Sequence, residues 1–227
     1  MKKFLGVAFV FLLAVGGLFA QSEEQKRLNE ATDVLNILLQ GGDQAIPQEL
    51  LDKSECVVLI PGMIKGAFIV GGQYGRGFVT CRKKTGQGWS APGAVRLEGG
   101  SIGFQIGGQA TDIILLVMNR KGAEKMMTSK FTLGGDVSVA AGPVGRTSTA
   151  ETDALLRAEI LSWSRSRGVF AGISLKGSTL REDNTAIEAL YGKKYRNRDI
   201  VASGLAVPAA AQPLIAALNK YSSRKSK

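Results

Sequence analysis

Paired glycines cut this chain into short apolar runs, and no other feature limits its possible folds as much. The pairs stand at Gly16-Gly17, Gly41-Gly42, Gly71-Gly72, Gly99-Gly100, Gly107-Gly108 and Gly134-Gly135, within a total of 29 glycines. They follow no fixed period, which sets aside both a collagen-like helix and a repeat array. Glycine at this density signals turns, bulges and strands that approach one another closely. The apolar runs between the pairs are short and rich in β-branched residues, as strands require.

Read in order, the runs at 56–60, 67–70, 77–81, 94–97, 101–106 and 113–118 predict strands. Pro61-Gly62 closes the first, Gly71-Gly72 and Tyr74-Gly75 turn a hairpin, and Gly99-Gly100 turns the chain into 101–106. A strand through Phe131, Leu133, Val137 and Val139 carries Gly134-Gly135 at a bulge. Residues 159–167 and 169–175 predict a last strand pair about Gly168. Helices frame these strands. Leu28, Ala31, Leu35 and Leu38 recur at helical spacing, so residues 23–40 predict an amphipathic helix that Ser22 starts and Gly41-Gly42 ends. Pro47 suits the first turn of a helix over 48–53. Shorter helices are expected at 122–127, 186–191 and 213–221. The fold class is α+β: a glycine-rich curved antiparallel sheet, or a barrel-like closure, with an N-terminal amphipathic helix and short C-terminal helices.

Lys2 and Lys3 precede an apolar run over 4–15, and Ala20 offers a small residue for cleavage. This is the order of a secretory signal over residues 1–20; an uncleaved anchor is the alternative. Export bears on Cys56 and Cys81. They either form a disulfide closing a loop of about 25 residues, worth roughly 3 kcal/mol, or stay as buried thiols.

Histidine is absent from the sequence. That removes Ser-His-Asp and Cys-His catalysis and the commonest zinc ligand. Asp112, Asp136, Asp153 and Glu159 are too scattered to suggest a catalytic pair. The glycine cluster over 71–77 lies between strands and lacks the Lys and Ser/Thr of a phosphate loop. No motif implies a cofactor, and the reading is of a protein that is not an enzyme.

The net charge of +10 is unevenly spread. Residues 21–192 are close to neutral, whereas 193–227 carry Lys193, Lys194, Arg196, Arg198, Lys220, Arg224, Lys225 and Lys227 against a single acid, Asp199. Such a segment either attracts an anionic surface or merely solubilises the chain end. Export disfavours nucleic acid as the partner. In Ser162-Trp163-Ser164-Arg165-Ser166-Arg167 a strand would place Trp163, Arg165 and Arg167 on one face. Arg165 and Arg167 would there clamp an anion, pack their stems on the indole, or pair with Glu159 or Asp153.

A set of stretches taken in order then identifies the chain as resembling the SYLF family. They include Cys56-Val57-Val58-Leu59-Ile60-Pro61, Gly66-Ala67-Phe68-Ile69-Val70-Gly71-Gly72 and Gly88-Trp89-Ser90-Ala91-Pro92. The run from Gly103 to Asp112, Lys130-Phe131-Thr132-Leu133-Gly134, Ala140-Ala141-Gly142-Pro143-Val144-Gly145, Ser162 to Gly168, and Leu190-Tyr191-Gly192 complete it. The resemblance implies a non-catalytic domain that binds lipid or actin. With an export signal, it implies attachment to anionic phospholipid in the cell envelope, with an envelope protein as the alternative partner. The SYLF-like domain is expected over 21–199, followed by a basic tail over 200–227. The helix over 23–40 would either face lipid or pack on the sheet.

Overall fold

The computed structural model describes residues 22–40, 46–68, 70–85, 87–102, 109–144, 157–166 and 169–222. The expected signal, Asp153 and the glycine pair at 107–108 lie outside them. Helix α1 (Glu23–Gln40) and α2 (Gln48–Lys53) precede the long strands β1 (Cys56–Phe68), β2 (Val70–Cys81), β3 (Gly93–Ile102) and β4 (Gln109–Val117). Helix α3 (Arg120–Met126) leads to β5 (Lys130–Thr132), β6 (Val139–Ala141), β7 (Ile160–Ser166), β8 (Val169–Gly172) and β9 (Thr179–Glu182). Helices α4 (Asn184–Tyr191), α5 (Asn197–Ala202) and α6 (Gln212–Tyr221) follow.

The strands form one nine-stranded sheet in the order β5-β9-β3-β2-β1-β4-β7-β6, with β8 also on β7. It curls into a half-barrel, so the α+β expectation holds. The sheet is mixed rather than wholly antiparallel: β6 runs parallel to β7, while β8 pairs with β7's second half. Both faces are apolar, which is why β1 and β4 read as continuous apolar runs. Val57, Leu59, Ile114 and Leu116 face the cluster beneath α1, α4 and α6. Val58, Ile60, Ile113 and Leu115 face the other, closed by α3, Phe131 and Leu175.

Helix α1 starts as expected, with Ser22 Oγ accepting from Gln25 N at 3.1 Å. Its stripe of Leu28, Ala31, Val34, Leu35 and Leu38 is buried against the sheet and α6. The apolar face that lipid would need is therefore occupied by the core. The segment after residue 199 is also part of the fold. Ile200, Leu214, Ile215 and Leu218 are buried in the same cluster, so the described portion of the expected tail is domain.

Three glycine features depart from the sequence reading. Pro61-Gly62 does not end a strand; β1 continues through it with a register shift against both neighbours. Gly62 sits at φ +58°, and its amide donates to Asp112 Oδ1 at 3.0 Å. Gly71-Gly72 and Gly99-Gly100 are not turns. They lie inside long strands and face one another, Gly72 opposite Gly100, while the hairpin reverses between Phe68 and Val70. Gly134-Gly135 is not a bulge inside a strand but a turn between β5 and β6, with Gly134 at φ +79°. Where β1 bends, Gly77 leaves the room it must: a Cβ there would lie 2.0 Å from Leu59 O.

Candidate functional site

Cys56 and Cys81 are direct partners on the last rung between β1 and β2, and the structure joins them as a disulfide. Around that end of the sheet four segments meet. The first is the connection from β2 to β3, residues 82–92, which carries Lys83 and Lys84. The second is the loop after α4. The half-buried phenol of Tyr191, at the end of α4, donates to Pro92 O at 2.7 Å, and the Tyr195 ring stands edge-on to Tyr191, so Lys193 and Lys194 lie in sequence between two tyrosines that pack together. Burial pushes the Tyr191 phenol up, so the hydroxyl stays a donor. The third is α5, positioned by Asn197, whose Nδ2 donates to Ala94 O at 2.9 Å.

The fourth is the end of α6, held by a knot about Arg82. This buried guanidinium donates to Ser54 O at 3.3 Å, to Leu51 O at 3.2 Å, to Ser222 Oγ at 2.6 Å and to Ser222 O. It stacks 3.9 Å from the centre of the Trp89 ring, whose Nε1 also donates to Ser222 O at 2.8 Å. Trp89 N donates to Asn219 Oδ1 at 3.1 Å. One arginine thus ties the carbonyls ending α2 to the residue ending α6, and Lys220 comes to the same end of the molecule.

Lys83, Lys84, Lys193, Lys194 and Lys220 are exposed and form no ion pair with a described residue. Arg196 and Arg198 are at the same end but are engaged, Arg196 with Glu182 at 3.0 Å and Arg198 with Asp199 at 3.5 Å. Arg165 stands elsewhere. It is the cross-strand partner of Asp112 and bonds it at 2.9 Å, so its guanidinium is already used, and by a carboxylate other than Glu159 or Asp153. Trp163 beside it is wholly buried. Arg167, Arg224, Lys225 and Lys227 lie outside the described residues, although the chain continues to the last three directly from the anchored Ser222. Sequence reasoning missed Lys83, Lys84 and Arg82. Two adjacent lysines before a Gly-Gln-Gly turn were the available signal for an exposed basic loop tip.

The described candidate carboxylates, Asp112, Asp136 and Glu159, are engaged structurally. Asp112 is bound by Arg165 and Gly62 N, and Asp136 accepts from Thr132 N at 2.7 Å. Glu159 accepts from Ser138 N at 2.7 Å and faces Lys121 Nζ at 2.8 Å. Burial alone would raise its carboxyl, but Lys121 and Ser138 outweigh it and hold it below the usual range. Asp183, unmarked in the sequence, caps α4 through Ala186 N and bonds Arg76 Nε at 2.5 Å; Arg76 also reaches Glu24 of α1 at 3.7 Å. Burial likewise opposes ionisation of Asp183, and Arg76 with the Ala186 amide more than offsets it. Both carboxyls have folded values depressed below their unfolded ones. Their stabilisation is therefore present above about pH 4 and lost as the pH falls through the folded values. Asp183→Asn should lower stability at pH 7 and leave a shallower acid limb in urea midpoints measured from neutral pH downwards. An acid limb as steep as the wild type's would show that Asp183 is not one of the groups responsible.

Among the described residues, no helix is long and apolar enough to cross a membrane. Residues 98–221 match the family model Ysc84, described as Las17-binding protein actin regulator. The chain is 33% identical over 178 residues to protein YSC84 of Saccharomyces cerevisiae, covering 77% of this chain and 38% of that protein. It is 34% identical over 182 residues to LAS seventeen-binding protein 3 of the same organism, covering 78% and 39%. It is 31% identical over 200 residues to the human SH3 domain-containing YSC84-like protein 1, covering 88% and 57%. The chain thus spans about two fifths to three fifths of the length of these relatives.

Proposed function

The chain belongs to the Ysc84 (SYLF) family, and from that premise we propose that it is a non-catalytic docking domain whose cationic end attaches to anionic phospholipid. One observation carries the reading. Lysines distant in sequence, 83–84, 193–194 and 220, are brought to one end of the fold without carboxylate partners among the described residues. Unpaired charge held on a rigid scaffold favours an anionic surface, by on the order of 1 kcal/mol per cation close to it. Several of the domain's other charges are paired internally, Arg165 with Asp112, Arg76 with Asp183 and Lys121 with Glu159. The signal order of residues 1–20 supports the cell envelope as the place of that membrane.

Flotation with vesicles of phosphatidylcholine, with and without phosphatidylglycerol, tests the reading. Binding should require the anionic lipid and weaken as salt is raised. Lys83→Ala/Lys84→Ala should reduce it by about 2 kcal/mol, roughly 30-fold. Equal binding to pure phosphatidylcholine would reject the charge mechanism. The second reading is a protein partner with an acidic face, supported by relatives named for binding Las17. Salt-sensitive capture of such a partner by a protein that ignores both vesicle types would favour it.

A further inference from the structure

We propose that the groove beside the disulfide receives one acyl chain of an anionic phospholipid, with the phosphate held at its rim; this rests on the docking reading above. The groove has a volume of about 610 Å³. That is within the size range of pockets that bury small ligands. Its apolar lining is the Cys56–Cys81 disulfide, Ala123 of α3 with Met127 just after it, and Val201 of α5. Ala123, Met127 and Val201 are only partly covered, although all three pack on the core cluster behind them. Such surface is left wet in the free protein and gains by being covered.

The rim has the opposite character. Lys83 and Lys84 stand on it with Arg120. Two acids also border it. Glu124 is paired with Arg120 at 3.3 Å, and Glu55 also has a partner, so the two rim lysines outweigh the acids beside them. Arg82 turns its guanidinium inward to the carbonyls of α2 and α6. The two lysines are therefore the rim's uncommitted charges. An apolar trough with cations at one lip complements a chain bearing a negative head and does not complement a free inorganic anion. The basic residues that follow Ser222 share the rim's sign, which disfavours this chain's own end as the occupant.

The lysines of the rim are also lysines of the docking end. The groove therefore opens on the face that would meet a bilayer, and a lipid could enter it without leaving the membrane plane. Covering apolar surface would then add a salt-resistant component to an otherwise electrostatic attachment.

The test uses the folded protein with dihexanoyl phosphatidylglycerol below its micelle concentration, with glycerol phosphate and dihexanoyl phosphatidylcholine as controls, followed by amide chemical shifts. Phosphatidylglycerol should shift residues of α3, α5 and 81–84, with at least tenfold weaker binding of either control. Ala202→Trp projects an indole into the groove from an exposed position, so the core is not disturbed. It should abolish short-chain binding while leaving salt-sensitive flotation largely intact. Lys83→Glu/Lys84→Glu should weaken both. Undiminished short-chain binding by Ala202→Trp, or equal binding of glycerol phosphate, would overturn the groove proposal and leave the docking reading standing. Loss of anionic flotation by the unmodified protein would instead sink the docking reading.

Discussion

Trp163→Ala is expected to cost about 3–5 kcal/mol, a large share of the stability of a domain this size. Trp163 is wholly buried at the centre of β7, where three strands meet its single one. Its backbone faces Ile114 on β4 and Gly172 on β8, and its indole Nε1 donates to Pro143 O at 2.9 Å. The ring occupies space that Gly142 leaves open, and Gly172 in turn leaves room for the Gly142 backbone. A Cβ on Gly142 would lie 2.0 Å from the indole, and one on Gly172 would lie 2.3 Å from Gly142 O. Truncation therefore leaves a cavity bounded by backbone, which cannot collapse to fill it, and strands Pro143 O without its donor. The denaturation midpoint measures the loss. A double-mutant cycle tests the cause: Gly142→Ala should be strongly destabilising in the parent and much milder in the Trp163→Ala background. If Gly142→Ala costs the same in both, the ring does not set the glycine's constraint.

That pairing shows what the glycine pattern did and did not disclose. Density of glycine correctly implied close strand packing and a curved sheet, because absence of a side chain is what both require. It misplaced several turns for the same reason. Glycine serves a reversal through its freedom at positive φ and serves a crossing through its lack of Cβ, and local sequence does not separate the two. Gly72 and Gly100 face each other across paired strands, whereas Gly134 turns the chain at φ +79°. The helices were easier, since the spacing of Leu28, Ala31, Leu35 and Leu38 encodes a face directly. That spacing could not say whether sheet or lipid would cover the face; the sheet does.

The site was legible only in part. The charge imbalance after residue 192 was visible, but a count along the chain treats Arg196 and Lys194 alike. In the fold Arg196 is paired with Glu182 and Lys194 is not paired with a described residue. An ion pair is among the readings of Arg165, but its partner was not legible, because Asp112 is 53 residues away in sequence and adjacent only through the β4–β7 ladder. Lys83 and Lys84 passed unnoticed because two lysines carry no meaning until α4, α5 and α6 converge beside them.

Arg82→Ala should be the second large loss, about 3 kcal/mol, from two buried carbonyls each deprived of a charged donor, although Ser222 O keeps the Trp89 Nε1 hydrogen. These are Ser54 O and Ser222 O, at the ends of α2 and α6. The substitution also removes the cation from the Trp89 ring and leaves Ser222 Oγ to Asp52 alone, at 2.6 Å. Urea midpoints give the total, and hydrogen exchange gives its location: amides of 212–222 should exchange sooner than those of β1 and β4. Arg82→Lys should recover little, since an ammonium cannot reach the carbonyls of two helices at once as the planar fork does. Arg82→Met supplies the decisive comparison. It keeps most of the stem packed on Trp89 while removing every donor. If that variant matched the parent in stability and exchange, the guanidinium's bonds would add nothing beyond their desolvation cost, and α6 would be held by Leu214, Ile215, Leu218 and the Trp89 hydrogen bonds. The expectation is the opposite, because the acceptors remain buried whichever residue replaces the donor. The same lock would then fix where the basic residues after Ser222 leave the fold, so loosening it should also weaken vesicle binding at low salt without changing its dependence on anionic lipid.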